Sequence, residues 1–234
     1  MSDAAATYVL VHGAWHGPWA WETMTPLLDE RGIPWIAPSL PSAHDDVAGT
    51  ADLAADAAAV VHAARDRGPV VLVGHSYGGV VITEAAASLE VTELAYIAAL
   101  VPRIGESATD CSRRVRTRTL LDEAMRVEGP WLALDPDAAV AALYGHLDAG
   151  TAAREVIRLG RQTLVSFRSP RHAPDIGAPR RYLRCTDDRA IDPQLQVLMS
   201  QECGDVVDLA SDHSPFRSHV EACVAFVLGE GASD

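Results

Sequence analysis

The sequence predicts an α/β protein with a mostly parallel sheet of about six strands and helices on both faces. Along most of its 234 residues, short apolar segments alternate with helical segments, which is the order that βαβ units require. The run Val-Val-Leu-Val at residues 70–73 is apolar at every position, as a strand covered on both faces should be. The length suits one domain with a small insertion.

The individual elements follow from the same pattern. Strands are expected at residues 8–11, 34–37, 70–73, 94–100, 181–185 and 205–209. Helices are expected at residues 19–31, 52–67, 80–89, 193–201 and 215–228. Between about residues 103 and 178 the sequence is helical and irregular, with no convincing strand. We therefore predict a core of residues 1–102 and 179–234, with a small helical cap at 103–178 inserted after the strand that ends near Leu100.

Charge limits the partners of this protein. The formal net charge is −13, from 32 acidic and 19 basic residues, and all the basic residues are Arg. Such a surface repels phosphate backbones and anionic lipid head groups, which argues against nucleic-acid and membrane binding. Since the sequence has no long apolar run and no recognisable secretory signal, we expect a cytoplasmic protein. We expect it to be a monomer or a homodimer.

The four cysteines point to neither a metal site nor a redox motif. They form no C-x-x-C pair, and no His stands at zinc-ligand spacing from them. We predict free thiols, with a disulfide between two of them left open. No metal and no organic cofactor is expected.

The motif with the clearest chemical meaning is Gly-His-Ser-Tyr-Gly-Gly at residues 74–79. The pattern G-x-S-x-G is weak by itself, but here an apolar strand precedes it and a helix follows, which is the context of a nucleophile elbow. Such a turn strains the serine backbone and exposes the hydroxyl. Glycines flank it because a Cβ would collide with neighbouring backbone. Ser76 is therefore the predicted nucleophile.

A serine hydroxyl needs a base, and the base needs an acid that orients it. His213 follows the last short strand, at the edge of the sheet where the nucleophile emerges, and is the predicted base. His219 is a competitor, but it lies inside the last predicted helix. The acid should follow the penultimate strand, where Asp187 and Asp188 are adjacent and equally suitable. Asp192 is a third option that better suits the cap of the next helix.

Two backbone donors are needed for an oxyanion hole. One is expected from the N–H of Tyr77, the residue after the nucleophile. The other is expected from the loop after the first strand, where the N–H of Ala14 is the candidate. Gly13 would let this backbone approach the substrate closely. We expect His12 to fasten the loop by hydrogen bonds.

These segments resemble one subgroup of the α/β-hydrolase superfamily. The resemblance runs through residues 8–21, the elbow, residues 182–188 and residues 211–213, and so covers most of the core and little of the cap. The subgroup contains plant methylesterases, salicylate-binding esterases and plant hydroxynitrile lyases, together with bacterial esterases of similar size. The resemblance implies the α/β-hydrolase fold.

The resemblance also implies the triad. It assigns Ser76 as nucleophile, His213 as base and Asp188 as acid, because the second carboxylate of the adjacent pair matches the aspartate of the family. Asp187 remains the fallback.

Three positions separate the esterases from the lyases in this subgroup. The lyases have Thr where this chain has Gly13, Glu where it has His75, and Lys where it has Ser214. Without the cationic Lys, a leaving cyanide would lack its electrostatic partner. The resemblance therefore favours an esterase.

The cap is expected to line the substrate pocket. Trp131, Tyr144 and Phe167 of the cap, with Gly13 of the core, are the candidate substrate-binding residues, because aromatic walls suit an apolar acyl or alcohol group. The alternative is that these aromatic side chains form the small core of the cap itself.

Together these features predict a serine hydrolase that cleaves a small carboxylic ester through an acyl-enzyme. One alternative uses the same triad for hydrolysis of a lactone or a C–C bond, or for a tailoring step in natural-product biosynthesis. A more remote alternative is a ligand receptor on a hydrolase scaffold.

Overall fold

The computed structural model describes residues 6–43 and 48–230; residues 1–5 and 231–234, the ends of the predicted core, lie outside the described residues. The strands are β1 (Thr7–Val11), β2 (Trp35–Ile36), β3 (Val70–His75), β4 (Val91–Ile97), β5 (Met125–Glu128), β6 (Trp131–Leu134), β7 (Gln162–Thr163), β8 (Arg180–Cys185) and β9 (Asp205–Leu209). The α-helices are α1 (Thr25–Glu30), α2 (Leu53–Ala64), α3 (Gly78–Ala85), α4 (Ala108–Ser112), α5 (Leu120–Ala124), α6 (Pro136–Leu143), α7 (Ala149–Ile157), α8 (Leu164–Arg168), α9 (Pro193–Ser200), α10 (Pro215–Ser218) and α11 (Val220–Leu228).

The core is a six-stranded parallel sheet in the order β2-β1-β3-β4-β8-β9. This confirms the predicted sheet of about six strands. The carboxyl ends of β3, β8 and β9 therefore lie at one edge of the sheet. The loops that follow these three strands carry the predicted nucleophile, acid and base.

Helices cover both faces of this sheet. Successive residues of a strand point to opposite faces, and accordingly Val9 and Leu10 of β1 belong to two different hydrophobic clusters. The cluster that contains Val9 includes Val60 of α2 and Val80 of α3. The cluster that contains Leu10 includes Val224 of α11. The two-layer packing explains why residues 70–73 of the central strand β3 are apolar at every position.

The segment between β4 and β8 contains strands, contrary to our expectation. β5, β6 and β7 form a small antiparallel sheet beside helices α4 to α8. β5 reads Met-Arg-Val-Glu and is mostly exposed, so it shows no apolar pattern that a sequence reading detects. The sequence did contain one signal of this hairpin, the dipeptide Gly129-Pro130 between β5 and β6. Gly129 has a φ of +61, which glycine adopts without steric cost and which allows the tight turn.

Several boundaries differ from the predicted ones. The helix expected at residues 19–31 divides into a 3₁₀ helix, Pro18–Trp21, and α1. The last helix is broken at His219, whose φ of −138° is not helical. No helix within residues 6–43 and 48–230 is long and apolar enough to cross a bilayer.

Candidate active site

Ser76 lies in a sharp turn between β3 and α3. Its φ is +53, a left-handed conformation that a non-glycine residue rarely adopts. A Cβ at Gly74 would lie 2.7 Å from the carbonyl oxygen of Gly78, and one at Gly78 would lie 2.7 Å from that of His12. The turn therefore requires glycine at both positions, as the elbow interpretation predicts.

His213 and Asp188 form a buried pair at the same edge of the sheet. The Nδ1 atom of His213 lies 2.8 Å from Oδ2 of Asp188, and both residues are buried. Because a carboxylate oxygen only accepts, Nδ1 carries the proton in this bond. In the neutral ring Nε2 is then the basic nitrogen, which is the tautomer a general base requires.

Asp188 receives further hydrogen bonds that hold it in place. Its Oδ1 accepts from the backbone N–H groups of Ala190 at 2.7 Å and Ile191 at 3.0 Å. Its Oδ2 also accepts from Nε2 of Gln196 at 2.9 Å. Gln196, on α9, is fully buried. Sequence reasoning missed it, since nothing in the helical pattern marks a glutamine that faces a carboxylate.

The other candidate acids and the other histidine have different partners. Asp187 is half exposed and lies 3.4 Å from Nε2 of His146. Asp192 caps α9 by accepting from the N–H of Gln194 at 2.7 Å, as expected. His219 lies between α10 and α11, with its Nδ1 3.0 Å from the hydroxyl of Ser218. The geometry thus brings Asp188, and neither alternative, to His213.

The loop after β1 lies directly beside the elbow. A Cβ at Gly13 would lie 3.0 Å from Cβ of Ser76 and 2.8 Å from Nδ1 of His75. The Nε2 atom of His12 accepts from the N–H of Leu40 at 3.3 Å, and its Nδ1 lies 2.8 Å from the carbonyl of Gly13. His12 therefore ties this loop to the chain after β2. Ala14, the expected donor, is buried within the same loop.

His75 fixes the loop of the candidate base. Its Nε2 donates to the carbonyl oxygen of His213 at 2.9 Å, and the two rings lie 4.6 Å apart. Complete burial, together with the neighbouring His213 and His16, holds the pKa of His75 well below its ordinary value. A neutral ring here adds no positive charge beside the base.

Tyr77 is anchored by a buried carboxylate. Its hydroxyl donates to Oδ2 of Asp56 at 2.8 Å, and Asp56 also accepts from the backbone N–H of Ser42 at 3.0 Å. Asp56 is fully buried, and this burial raises its pKa to about 6. Sequence reasoning missed Asp56, because it reads as one more acidic residue of an Ala-rich helix.

Ser76 opens into a small apolar cavity of ≈ 80 Å³ beneath the cap. Trp15, Tyr77 and Phe167 form its aromatic walls, and the Tyr77 and Phe167 rings stack at 5.3 Å. Its other lining residues are Leu100, Ser112, Val115, Thr117, Thr119, Leu121, Asp122, Met125, Ala190, Ile191, Asp192 and Leu195. None of the described lining residues carries a positive charge, so the cavity suits an uncharged group.

Two of the expected pocket residues lie elsewhere. Trp131 lines a separate cavity of ≈ 350 Å³ in the cap, where the guanidinium of Arg161 lies 4.4 Å from its ring. Tyr144 is buried in a satellite cluster, and its hydroxyl lies 2.8 Å from Nε2 of His16. The described lining of the Ser76 cavity contains neither of them: Trp131 lines the second cavity, and Tyr144 bonds the loop after β1. A substrate contact by either residue stays a prediction.

All four cysteines, Cys111, Cys185, Cys203 and Cys223, are free thiols, as predicted. Burial raises the pKa of the Cys111 thiol to about 12, and the same cause raises the pKa of the other three. These thiols are therefore poor nucleophiles. Within the part of the chain that the structure describes, no three His, Cys, Asp or Glu side chains are grouped to hold a metal ion.

Comparison with known proteins identifies the family. The model of the alpha/beta hydrolase family matches residues 8–226. The alpha/beta hydrolase nvfD of Aspergillus novofumigatus (strain IBT 16806) is 30% identical over 237 residues, 94% of this chain and 94% of its own. A carbendazim hydrolyzing esterase of Nocardioides sp. (strain SG-4G) is 35% identical over 113 residues, 44% of this chain and 45% of its own. The methylesterase MES16 from Arabidopsis shares the fold, with a TM-score of 0.80 and 23% identity over 96% of this chain and 98% of its own.

The chain belongs to the alpha/beta hydrolase family. Family membership confirms the superfamily and the fold that the resemblance implied. It also identifies the protein as a hydrolase-type enzyme.

Proposed function

We propose that this protein hydrolyses a small carboxylic ester through an acyl-enzyme formed on Ser76. The single observation that carries the proposal is the buried hydrogen bond between His213 Nδ1 and Asp188 Oδ2, at the sheet edge where the strained serine emerges. A histidine held in this tautomer, with a carboxylate that receives further donors, is the arrangement that activates a serine hydroxyl.

The reaction proceeds in two halves. His213 takes the hydroxyl proton as Ser76 attacks the ester carbonyl, and the N–H groups of Ala14 and Tyr77 stabilise the oxyanion. The C–O bond to the alcohol breaks as His213 returns the proton to the leaving oxygen. Water, activated by the same histidine, then attacks the acyl-enzyme and releases the acid and the free serine.

The apolar cavity supports a small, uncharged substrate group. Phe167 and Trp15 enclose it on the cap and core sides. The two carboxylates in the lining, Asp122 and Asp192, repel an anionic substrate. A neutral small-molecule ester is therefore the proposed substrate class.

A cytoplasmic location and a monomeric or homodimeric state stay predictions from the sequence.

The residues at the three positions that separate esterases from hydroxynitrile lyases favour ester hydrolysis over cleavage of a cyanohydrin. Gly13 cannot accept the Thr of the lyases without displacing His75 and Ser76, because even a Cβ there lies within 3.0 Å of both. His75 is neutral and engaged with His213. Ser214 is buried and supplies no cation for a leaving cyanide.

The test compares hydrolysis of p-nitrophenyl esters, from acetate to octanoate, by the wild type, Ser76→Ala and Ser88→Ala. Ser88 is exposed in the short 3₁₀ helix Ala86–Ser88 that follows α3 and serves as the matched control. Loss of the nucleophile should reduce kcat by up to about 10⁶-fold, while Ser88→Ala should match the wild type. Equal activity of Ser76→Ala would refute the proposal, and tight ligand binding without turnover would favour the receptor alternative.

A further inference from the structure

Trp15 has an unusual backbone conformation beside the expected oxyanion donor. It follows Ala14 directly, and its φ is +63, although bulky residues rarely adopt this left-handed region. The side chain is buried. Because the residue itself disfavours this conformation, contacts from the surrounding structure must maintain it.

Those contacts come from the cap. The indole N–H of Trp15 donates to the carbonyl oxygen of Leu132, on β6, at 2.9 Å. The carbonyl oxygen of Trp15 accepts from the N–H of Gly160 at 2.8 Å. The indole ring lies 5.7 Å from the ring of Phe167 on α8. The cap thus holds both the side chain and the backbone of a residue in the core.

The next residue carries a second connection to the cap. Nδ1 of His16 lies 2.8 Å from the carbonyl oxygen of Ala14, and a carbonyl only accepts, so Nδ1 carries the proton in this bond. In the neutral ring Nε2 therefore accepts, and the hydroxyl of Tyr144 donates to it at 2.8 Å. Tyr144 directly follows α6, so two separate parts of the cap hold this short loop.

We propose that Trp15 is a positioning residue through which the seated cap holds the oxyanion loop in its competent conformation. The inference rests on the proposed ester hydrolysis, which assigns the N–H of Ala14 to the oxyanion. When the cap separates from the loop, the bonds from Leu132 and Gly160 are lost and the left-handed Trp15 relaxes. The Ala14 donor then moves away from the developing negative charge.

This role predicts a particular kinetic signature. The donors of an oxyanion hole act on charge that develops in the transition state, so their displacement lowers kcat more than it raises KM. Trp15→Phe keeps a buried aromatic ring but removes the N–H that reaches Leu132. We expect kcat to fall by about 10- to 100-fold, and to change by a larger factor than KM, which responds only to the smaller ring in the cavity wall.

Trp21→Phe is the matched control. Trp21 is also fully buried, but its indole N–H has no hydrogen-bond partner within the described residues. The same indole-to-phenyl change there should leave kcat close to that of the wild type. Tyr144→Phe, which removes the bond to His16 without touching the cavity of Ser76, should lower kcat in the same direction as Trp15→Phe.

Amide exchange supplies a readout that does not depend on activity. The amide of Gly160, which donates to Trp15, should exchange several-fold faster in Trp15→Phe than in the wild type or Trp21→Phe. Unchanged Gly160 exchange, or a kcat of Trp15→Phe equal to that of Trp21→Phe, would overturn the inference. If Trp15→Phe does not fold, an unchanged kcat in Tyr144→Phe overturns it. Hydrolysis that survives Ser76→Ala would instead refute the proposed function, which keeps the two failures distinguishable.

Discussion

At the scale of single residues, the choice between two adjacent carboxylates shows what a sequence leaves open. Asp187 and Asp188 occupy the same loop, and residue type cannot separate them. The turn after β8 directs Asp188 inward to His213, at 2.8 Å, and leaves Asp187 half exposed beside His146. Which of the two aspartate side chains points inward depends on the backbone conformation of the turn. That conformation cannot be deduced from the sequence pattern.

The two aspartates make a matched test of the proposed acid. Asp188→Asn should lower kcat by about 10⁴-fold, because an amide no longer selects the tautomer that leaves Nε2 basic. Asp187→Asn should keep activity within about twofold of the wild type, since it removes the same charge from a half-exposed site. Hydrolysis of p-nitrophenyl acetate at pH 7 measures both. Equal losses in the two variants would contradict the assignment of Asp188.

Asp56 should make the stability of the fold depend on pH. Burial raises its pKa from 3.8 to about 6, so the folded state holds this proton more tightly than the unfolded chain does. The resulting contribution to the free energy of unfolding is fully present below pH 3.8. It is lost as the pH rises through about 6, and amounts to roughly 3 kcal/mol.

Urea unfolding of the wild type and Asp56→Asn between about pH 4 and pH 8 measures this effect. The wild type should lose stability relative to the variant as the pH rises, because an asparagine does not titrate. Asp66→Asn, at an exposed position just beyond the carboxyl end of the same helix, should follow the wild-type profile. Parallel pH profiles for the wild type and Asp56→Asn would show that Asp56 does not titrate in this range.

At the scale of elements, the core was predictable and the cap was not. A parallel strand buried on both faces leaves a continuous apolar run, and β3 was visible for that reason. In the cap, β5 is exposed and four residues long, so its pairing with β6 leaves little trace. The same limit applies to Trp131 and Tyr144, whose aromatic character suits a pocket wall. Trp131 lines a separate cavity and Tyr144 packs in a satellite cluster, and neither position could be deduced from residue type.

Phe167 should set the size of the substrate group. Its ring closes the cavity of ≈ 80 Å³ against Tyr77, so Phe167→Ala opens space beside Ser76. We expect the preferred p-nitrophenyl ester to shift toward a longer acyl chain. Trp131→Ala, which removes an aromatic ring from the separate cap cavity, should leave the chain-length profile unchanged. An identical shift in both variants would indicate general loosening of the cap.

At the scale of the whole molecule, the site is assembled from segments far apart in the chain. The loop after β1, the elbow after β3, and the loops after β8 and β9 meet because parallel strands end at one edge of the sheet. This is why the order of the motifs along the sequence predicted their meeting in space. The supporting residues His75, Gln196 and Asp56 escaped prediction, because their roles depend on neighbours that only the folded chain brings together.

The central claim is that Ser76 carries a covalent acyl group during turnover. The most direct measurement is the intact mass of the protein after rapid acid quenching of its reaction with p-nitrophenyl acetate, for the wild type and Ser76→Ala. The wild type should gain the mass of one acetyl group, located on the peptide that contains Ser76, while Ser76→Ala should gain none. Steady hydrolysis without any adduct on Ser76, or an adduct of equal yield in Ser76→Ala, would contradict the account.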